Sequence, residues 1–343
     1  MEQSIIKKRD FWFDNAKAIL IILVVIGHMS TGEYSPKREW VENIGKFIYW
    51  FHMPVFMMIS GRFSRGRVDR GEYAKAITSL LVPYLILHVC MLLLYSAGGV
   101  GIPDSTFLKP RFGLWYFLAL FIFVVATISL KKFRLLFPIS IVVALAVNLF
   151  PEPLFGVFQR VCTFYPFFLF GYFTSSRSFH FCQKPWFRIL SGVFLAVLFI
   201  STIIFGSKLS LSLLYLNNSL PQIEIDYPIF QLLLRYAVGF LCFFAVMGIT
   251  PAKKQFFTYI GTHSVYVYAL HLFILQGIEE FVPDLLLPSK WWAMAYLCCG
   301  VILPFVLASP PVRRVFRFVL EPNSRLQEIL ENILSLKNHS KTP

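Results

Sequence analysis

Three ionisable side chains interrupt a stretch of sequence that is otherwise apolar. Asp14, Lys17 and His28 stand within or beside the run from Phe13 to Ser30. An ionisable group inside a bilayer-crossing helix costs roughly 2.5–3.5 kcal/mol on insertion scales, so one retained there is read first as functional. Lys17 and His28 are 11 residues apart. At the helical turn per residue they come within about 20° of one another, on one face, and about 16 Å apart along the axis. Asp14 precedes Lys17 by one turn, the spacing of a local ion pair. His28 brings proton chemistry. An imidazole with an ordinary pKa near 6.5 takes or gives a proton at neutral pH. Glu33, in a His-x4-Glu spacing, is a candidate to orient it. Plainer readings are a snorkelling Lys17, an N-capping Asp14 and a packing His28.

A second group follows in Phe51-His52-Met53-Pro54 to Ser60-Gly61. Pro54 cannot complete the helical ladder one turn back, toward Trp50, and His52 beside it can reach a freed carbonyl or a cavity. Ser60 and Gly61 permit a close helix approach or a helix end. Arg62, Arg65, Arg67, Arg70 and Lys75 then form a basic cluster suited to a polyanionic ligand or to lipid headgroups. Further along stand Trp115-Tyr116, Arg160, Arg235 and a deep His271. An aromatic belt is the plainer reason for the first pair, and snorkelling for the two arginines. A third histidine within an apolar run favours a shared polar interior.

These residues need a frame, and composition supplies it. Of 343 residues, 57% are hydrophobic and only 15% charged. Apolar runs near the length that crosses a bilayer recur throughout, continuous rather than alternating, which predicts helices and excludes a barrel. The predicted fold is an all-α integral membrane protein of about ten transmembrane helices around a polar pore. The spans lie near 13–30, 43–61, 76–98, 113–130, 135–150, 157–176, 187–206, 229–249, 257–277 and 291–309. With the N-terminus inside, 22 of the 32 Lys and Arg fall on the inner side and seven on the outer. That asymmetry follows the positive-inside rule and predicts both termini cytoplasmic. It also accounts for the net charge of +14 without nucleic acid. The longest outer loop is about 207–228. The first run resembles a signal peptide but lacks a small-residue cleavage site, so it is read as a retained span. None of the six cysteines lies in an outer loop or has zinc-ligand spacing, so neither disulfides nor a metal are expected. Past Pro310-Pro311 the tail turns basic and amphipathic and is expected on the inner surface.

In combination the blocks resemble the membrane-bound acyltransferase-three family. Phe13-Asp14-Asn15-Ala16-Lys17 through Gly27-His28 is similar to its first helix, with Lys17 where arginine is common. Phe51-His52-Met53-Pro54 to Ser60-Gly61 resembles the second helix of fucose-4-O-acetylase-like members. Gly113-Leu114-Trp115-Tyr116, Arg160 with Phe164 to Tyr172, and Ile260-Gly261 through Ser264 and Tyr266 to His271 resemble later segments. The blocks stand in family order and cover nearly the whole chain. Thr78 and Ser79 occupy positions where relatives often carry basic residues; the nearest cations are Lys75 and the arginines from Arg62 to Arg70.

The resemblance implies a single transmembrane acyltransferase domain over 1–311 and a cytoplasmic tail over 312–343. It implies acyl transfer, usually acetyl, from cytoplasmic acyl-CoA to a hydroxyl of an envelope carbohydrate, at a multi-pass site in a bacterial plasma membrane. Acetyl-CoA would be a donor substrate, and no permanently bound cofactor is expected. His28 is then the general base. Lys17, Arg62, Arg65 and Arg67 would meet the CoA phosphates, with Trp115, Tyr116 and Arg160 also assigned to substrate binding. His52 and His271 would orient the substrate or stabilise the oxyanion. Intramembrane charges and a broken helix also mark secondary transporters, the alternative function, but no inverted repeat is found.

Overall fold

The computed structural model describes residues 10–339 apart from 32–34, 37, 99–106, 111, 151–154, 156, 217, 224, 283–289 and 322. The described residues are predominantly helical. The helices are α1 (Phe11–Ser30), α2 (Glu39–Tyr49), α3 (His52–Arg70), α4 (Tyr73–Ala76), α5 (Val82–Ala97), α6 (Trp115–Leu130), α7 (Leu136–Val147) and α8 (Phe158–Phe173). They continue with α9 (Pro185–Phe205), α10 (Leu211–Tyr215), α11 (Pro228–Ile249), α12 (Thr258–Thr262), α13 (Ser264–Phe281), α14 (Lys290–Leu307), α15 (Pro310–Leu320) and α16 (Ser324–His339).

Each apolar segment expected from the sequence is helical. Four stretches are long and apolar enough to cross a membrane on those grounds alone: α1, Tyr73–Ala97, the stretch containing α9, and α11. A bent pair built from α14 and the tail would make a fifth, and α6 and α7 are apolar but shorter. Ile189, Val193, Val197, Ile200 and Ile204 of α9 are exposed, a surface that water would not favour and lipid would.

α1 lies at the centre, against α2, α3, α12, α13 and α14. Its N-cap is Asp10, which accepts from the Trp12 backbone N–H at 3.2 Å, and not Asp14. The buried Asn15 ties α1 to the α11–α12 connection. Its Nδ2 donates to the Pro251 and Lys253 carbonyls, each at 2.8 Å, and its Oδ1 accepts from Thr258 at 2.6 Å.

The predicted second span is two helices. The chain breaks at Trp50-Phe51, one turn before Pro54, where a missing N–H requires it. α3 then runs on to Arg70, so Gly61 is no helix end and Arg62, Arg65 and Arg67 sit on helix rather than in a loop. Gly61 serves close approach instead. A Cβ there would fall 2.0 Å from the Phe168 carbonyl oxygen, and one on Gly171 would fall 1.7 Å from that of Met58. The backbones of α3 and α8 therefore touch. A π-helical stretch, Ile77–Leu81, joins α4 to α5 just before Pro83. There Thr78 and Ser79 turn their hydroxyls onto the Ala74 and Lys75 carbonyls.

The connection between α9 and α11 folds back. Leu213, Leu214, Leu216 and Leu220 are buried, and α10 packs on α2. The tail returns as well: α15 packs against α5 and α13, and Tyr266 donates to Glu321 at 2.7 Å.

Candidate active site

The arrangement around His28 can be built from one carbonyl. The Val267 oxygen can only accept, so His271 Nδ1, 2.8 Å away, carries a proton. In the neutral ring Nε2 is then an acceptor, and His28 Nδ1 lies 3.0 Å from it. The proton of that bond belongs to His28 Nδ1, which puts the basic lone pair of His28 on Nε2. The two rings stack 5.2 Å apart, 15° from parallel. Two imidazolium rings would set N–H against N–H, so the pair holds at most one positive charge.

His52 repeats the device. Its Nδ1 donates to the Ile48 carbonyl at 3.0 Å, leaving Nε2 as acceptor. Its ring meets Tyr49 edge-on at 4.5 Å, and Tyr49 lies 6.3 Å from His28. Position is set by the break between α2 and α3, and the break is held by Arg235. That guanidinium is fully buried. It donates to the carbonyls of Trp50 at 2.6 Å, Tyr49 at 2.9 Å and Leu214 at 3.3 Å. Arg235 therefore does not snorkel; it satisfies backbone that Pro54 frees.

Trp115 and Tyr116 are buried and so form no aromatic belt. The Arg160 guanidinium lies 4.8 Å over the Trp115 ring. Its Nε is buried without a hydrogen-bond partner, and among the described residues no carboxylate pairs with it. Gly113, two residues before Trp115, lies against His28: a Cβ there would fall 3.5 Å from His28 Cε1. The Tyr116 hydroxyl meets Ser60 Oγ at 2.6 Å, and Ser60 donates its own proton to the Phe56 carbonyl, so Tyr116 is the donor between them. The Tyr268 hydroxyl donates to the Gly113 carbonyl.

A cavity of about 670 Å³ opens at the opposite end of α1. Lys17, Arg62, Arg65, Arg67, Arg70 and Lys75 line it, together with Asp10, Asp14, Asp69 and Glu72. Lys17 pairs with Asp14 at 2.9 Å and lies 4.2 Å over the Phe63 ring. Arg70 donates to Glu72 at 2.6 Å, which holds that carboxyl below the usual range. Arg67 lines the same cavity near Glu72. The cavity has a volume usual for small-molecule sites and a cationic excess suited to phosphates.

Contacts join the two ends. Phe63, facing Lys17, is one turn from Ser60. Ser60 bonds Tyr116, whose ring lies 4.8 Å from Tyr268, and that ring lies 5.9 Å from His271. The structure thus gathers His28, His52, His271, Trp115, Tyr116 and Arg160 at one end, and Lys17, Arg62, Arg65 and Arg67 at the other. Glu33, the candidate partner for His28, lies outside the described residues. Sequence reasoning did not find Tyr49, Tyr215 or Tyr268. Only Tyr268 left a signal, its spacing of three residues before His271 on one helix.

Comparison with known proteins gives the family. The chain matches a family model described as an acyltransferase domain, that of the acyltransferase-3 family, over residues 10–309. It is 35% identical over 121 residues to the nodulation protein NolL of Sinorhizobium fredii (strain NBRC 101917 / NGR234), covering 32% of this chain and 33% of that protein. It is 39% identical over 95 residues to the nodulation protein NolL of Mesorhizobium japonicum (strain LMG 29417 / CECT 9101 / MAFF 303099), covering 26% of each. The matched stretches thus span a third or less of these relatives. No solved structure matches. With nearly all of its helical core within the match, the chain belongs to the acyltransferase-3 family of membrane acyltransferases.

Proposed function

We propose that the protein is an O-acetyltransferase that moves an acetyl group from cytoplasmic acetyl-CoA to a hydroxyl of an envelope glycan, with His28 as general base. The observation that carries this reading is the hydrogen-bond chain from the Val267 carbonyl through His271 to His28, which assigns the lone pair to His28 Nε2. The acceptor hydroxyl gives its proton to that nitrogen as its oxygen attacks the thioester carbonyl. His271 accepts from the other side of the ring and stabilises the imidazolium as it forms. CoA thiolate leaves and recovers the proton from His28.

The cationic cavity supports a donor bearing phosphates on the inner side. The ~16 Å rise from Lys17 to His28 suits an extended thiol-ending arm. We read the expected ten spans as the topology, in the plasma membrane of a bacterium, with cytoplasmic termini and the tail from residue 312 on the inner surface. The excess of Lys and Arg in the inner segments supports that orientation.

The test uses membrane vesicles from cells producing the chain, supplied with acetyl-labelled acetyl-CoA, with label followed into the glycan fraction and thiol release measured in parallel. Transfer that is present with the wild type and absent with His28→Ala is the expected result. Transfer retained by His28→Ala would refute the assignment.

A further inference from the structure

Resting on the acetyl-transfer reading, we infer that Arg160 is the catalytic residue that holds the oxyanion of the transfer. The tetrahedral adduct places a negative charge on the former carbonyl oxygen and requires a donor aimed at it. Around the histidine pair the histidine N–H groups and the two nearest tyrosine hydroxyls are spent. His271 gives its proton to the Val267 carbonyl, His28 to His271, and His52 to the Ile48 carbonyl. The Tyr268 hydroxyl is used on Gly113 and that of Tyr116 on Ser60. Neither His52 nor His271 has an N–H left for an oxyanion.

Arg160 differs from all of them. Its Nε is buried and bonded to nothing, no carboxylate offsets its charge among the described residues, and the Trp115 ring it covers stands two residues from Gly113, where a Cβ would fall 3.5 Å from His28 Cε1. A half-buried cation with no carboxylate partner among the described residues suits a negative charge supplied during function. Arg235 makes the contrast: its Nε is also without a partner, but its two terminal nitrogens donate to three carbonyls, whereas no hydrogen bond from Arg160 is found among the described residues. The Trp115 face beneath Arg160 fixes the guanidinium plane without using its N–H groups.

In the step itself the acceptor oxygen forms its bond to the thioester carbon as His28 Nε2 takes the hydroxyl proton. The carbonyl π pair moves onto oxygen, where Arg160 donates to it. The pair then returns, the C–S bond breaks, and the CoA thiolate takes the proton from His28. Ester and free thiol are the products, and no further reactant is consumed.

The experiment compares Arg160→Gln and Arg160→Lys with wild type in vesicles, using labelled acetyl-CoA, and measures binding of a non-reactive thioether analogue of acetyl-CoA to the purified variants. Loss of one oxyanion donor lowers kcat by about 100- to 1,000-fold. The expected result is that loss in Arg160→Gln, a smaller one in Arg160→Lys, and KM for acetyl-CoA and analogue affinity within about threefold of wild type. A kcat within threefold of wild type overturns the inference. So does a raised KM or weakened analogue binding at unchanged kcat, which would make Arg160 a ground-state binding group. If Arg160→Gln is not recovered folded, Arg160→Lys decides on the same two readings. Absence of transfer by the wild type would instead refute the acetyl-transfer reading.

Discussion

Replacing His271 by phenylalanine removes the acceptor of the His28 Nδ1 proton while keeping a flat ring of similar bulk in a fully buried place. A neutral hydrogen bond contributes about 1 kcal/mol net and one to a charged group about 1.5–3 kcal/mol. The bond at 3.0 Å is neutral before reaction and charge-assisted once His28 holds the hydroxyl proton. The differential loss in the transition state is therefore about 1–2 kcal/mol, or roughly 5- to 30-fold in rate. Because the interaction strengthens only as charge develops, kcat and kcat/KM fall together and KM for acetyl-CoA stays near wild type. His271→Gln, which keeps an acceptor oxygen, recovers part of the loss. Thiol release and label transfer from acetyl-CoA give both constants. Wild-type kcat in His271→Phe would refute the orienting role and with it the tautomer chain from Val267.

Arg67→Ala is expected to raise KM for acetyl-CoA by about 5- to 10-fold with little change in kcat, since the residue lines the cationic cavity away from His28; an unchanged KM would remove phosphate binding from that cavity. Arg235→Met leaves the Tyr49, Trp50 and Leu214 carbonyls without their donor, at about 1–3 kcal/mol per buried group. A Tm lowered by several degrees in detergent is expected, and an unchanged Tm would contradict the clasp. Gly171→Val forces α3 and α8 apart where backbone meets backbone, with a loss of about 1–3 kcal/mol or more in thermal unfolding; wild-type stability would show the crossing to be looser than described.

Much of this was legible where one helix carries the signal. Lys17 and His28 share α1, and a fixed turn per residue gives their spacing without any knowledge of partners. Pro54 announced its break because a missing N–H acts locally. The extent of α3 was hidden, because five basic residues after Gly61 read as loop although helix continues through four of them. What remained invisible is long-range. Nothing near Trp115 in the sequence points to Arg160, and nothing near His28 points to His271, 243 residues away. Buried donors and acceptors find partners, but pattern alone does not say which. Arg160 and Arg235 illustrate this most sharply. Similar as sequence signals, they end as a cation with no nitrogen engaged among the described residues and a cation whose terminal nitrogens donate to three carbonyls.

The Arg235 clasp also bears on how the chain is made. The Trp50 carbonyl and its partner are 185 residues apart. At about 5–20 residues per second, the ribosome needs roughly 10–40 s to deliver the arginine after the opening turns have emerged. Throughout that interval the bent backbone has no donor to meet it, and hydrocarbon tolerates no such orphan. Nascent chains stalled before Arg235 should therefore keep that bend in a hydrated vestibule of the insertion machinery, released to lipid only when translation has passed it.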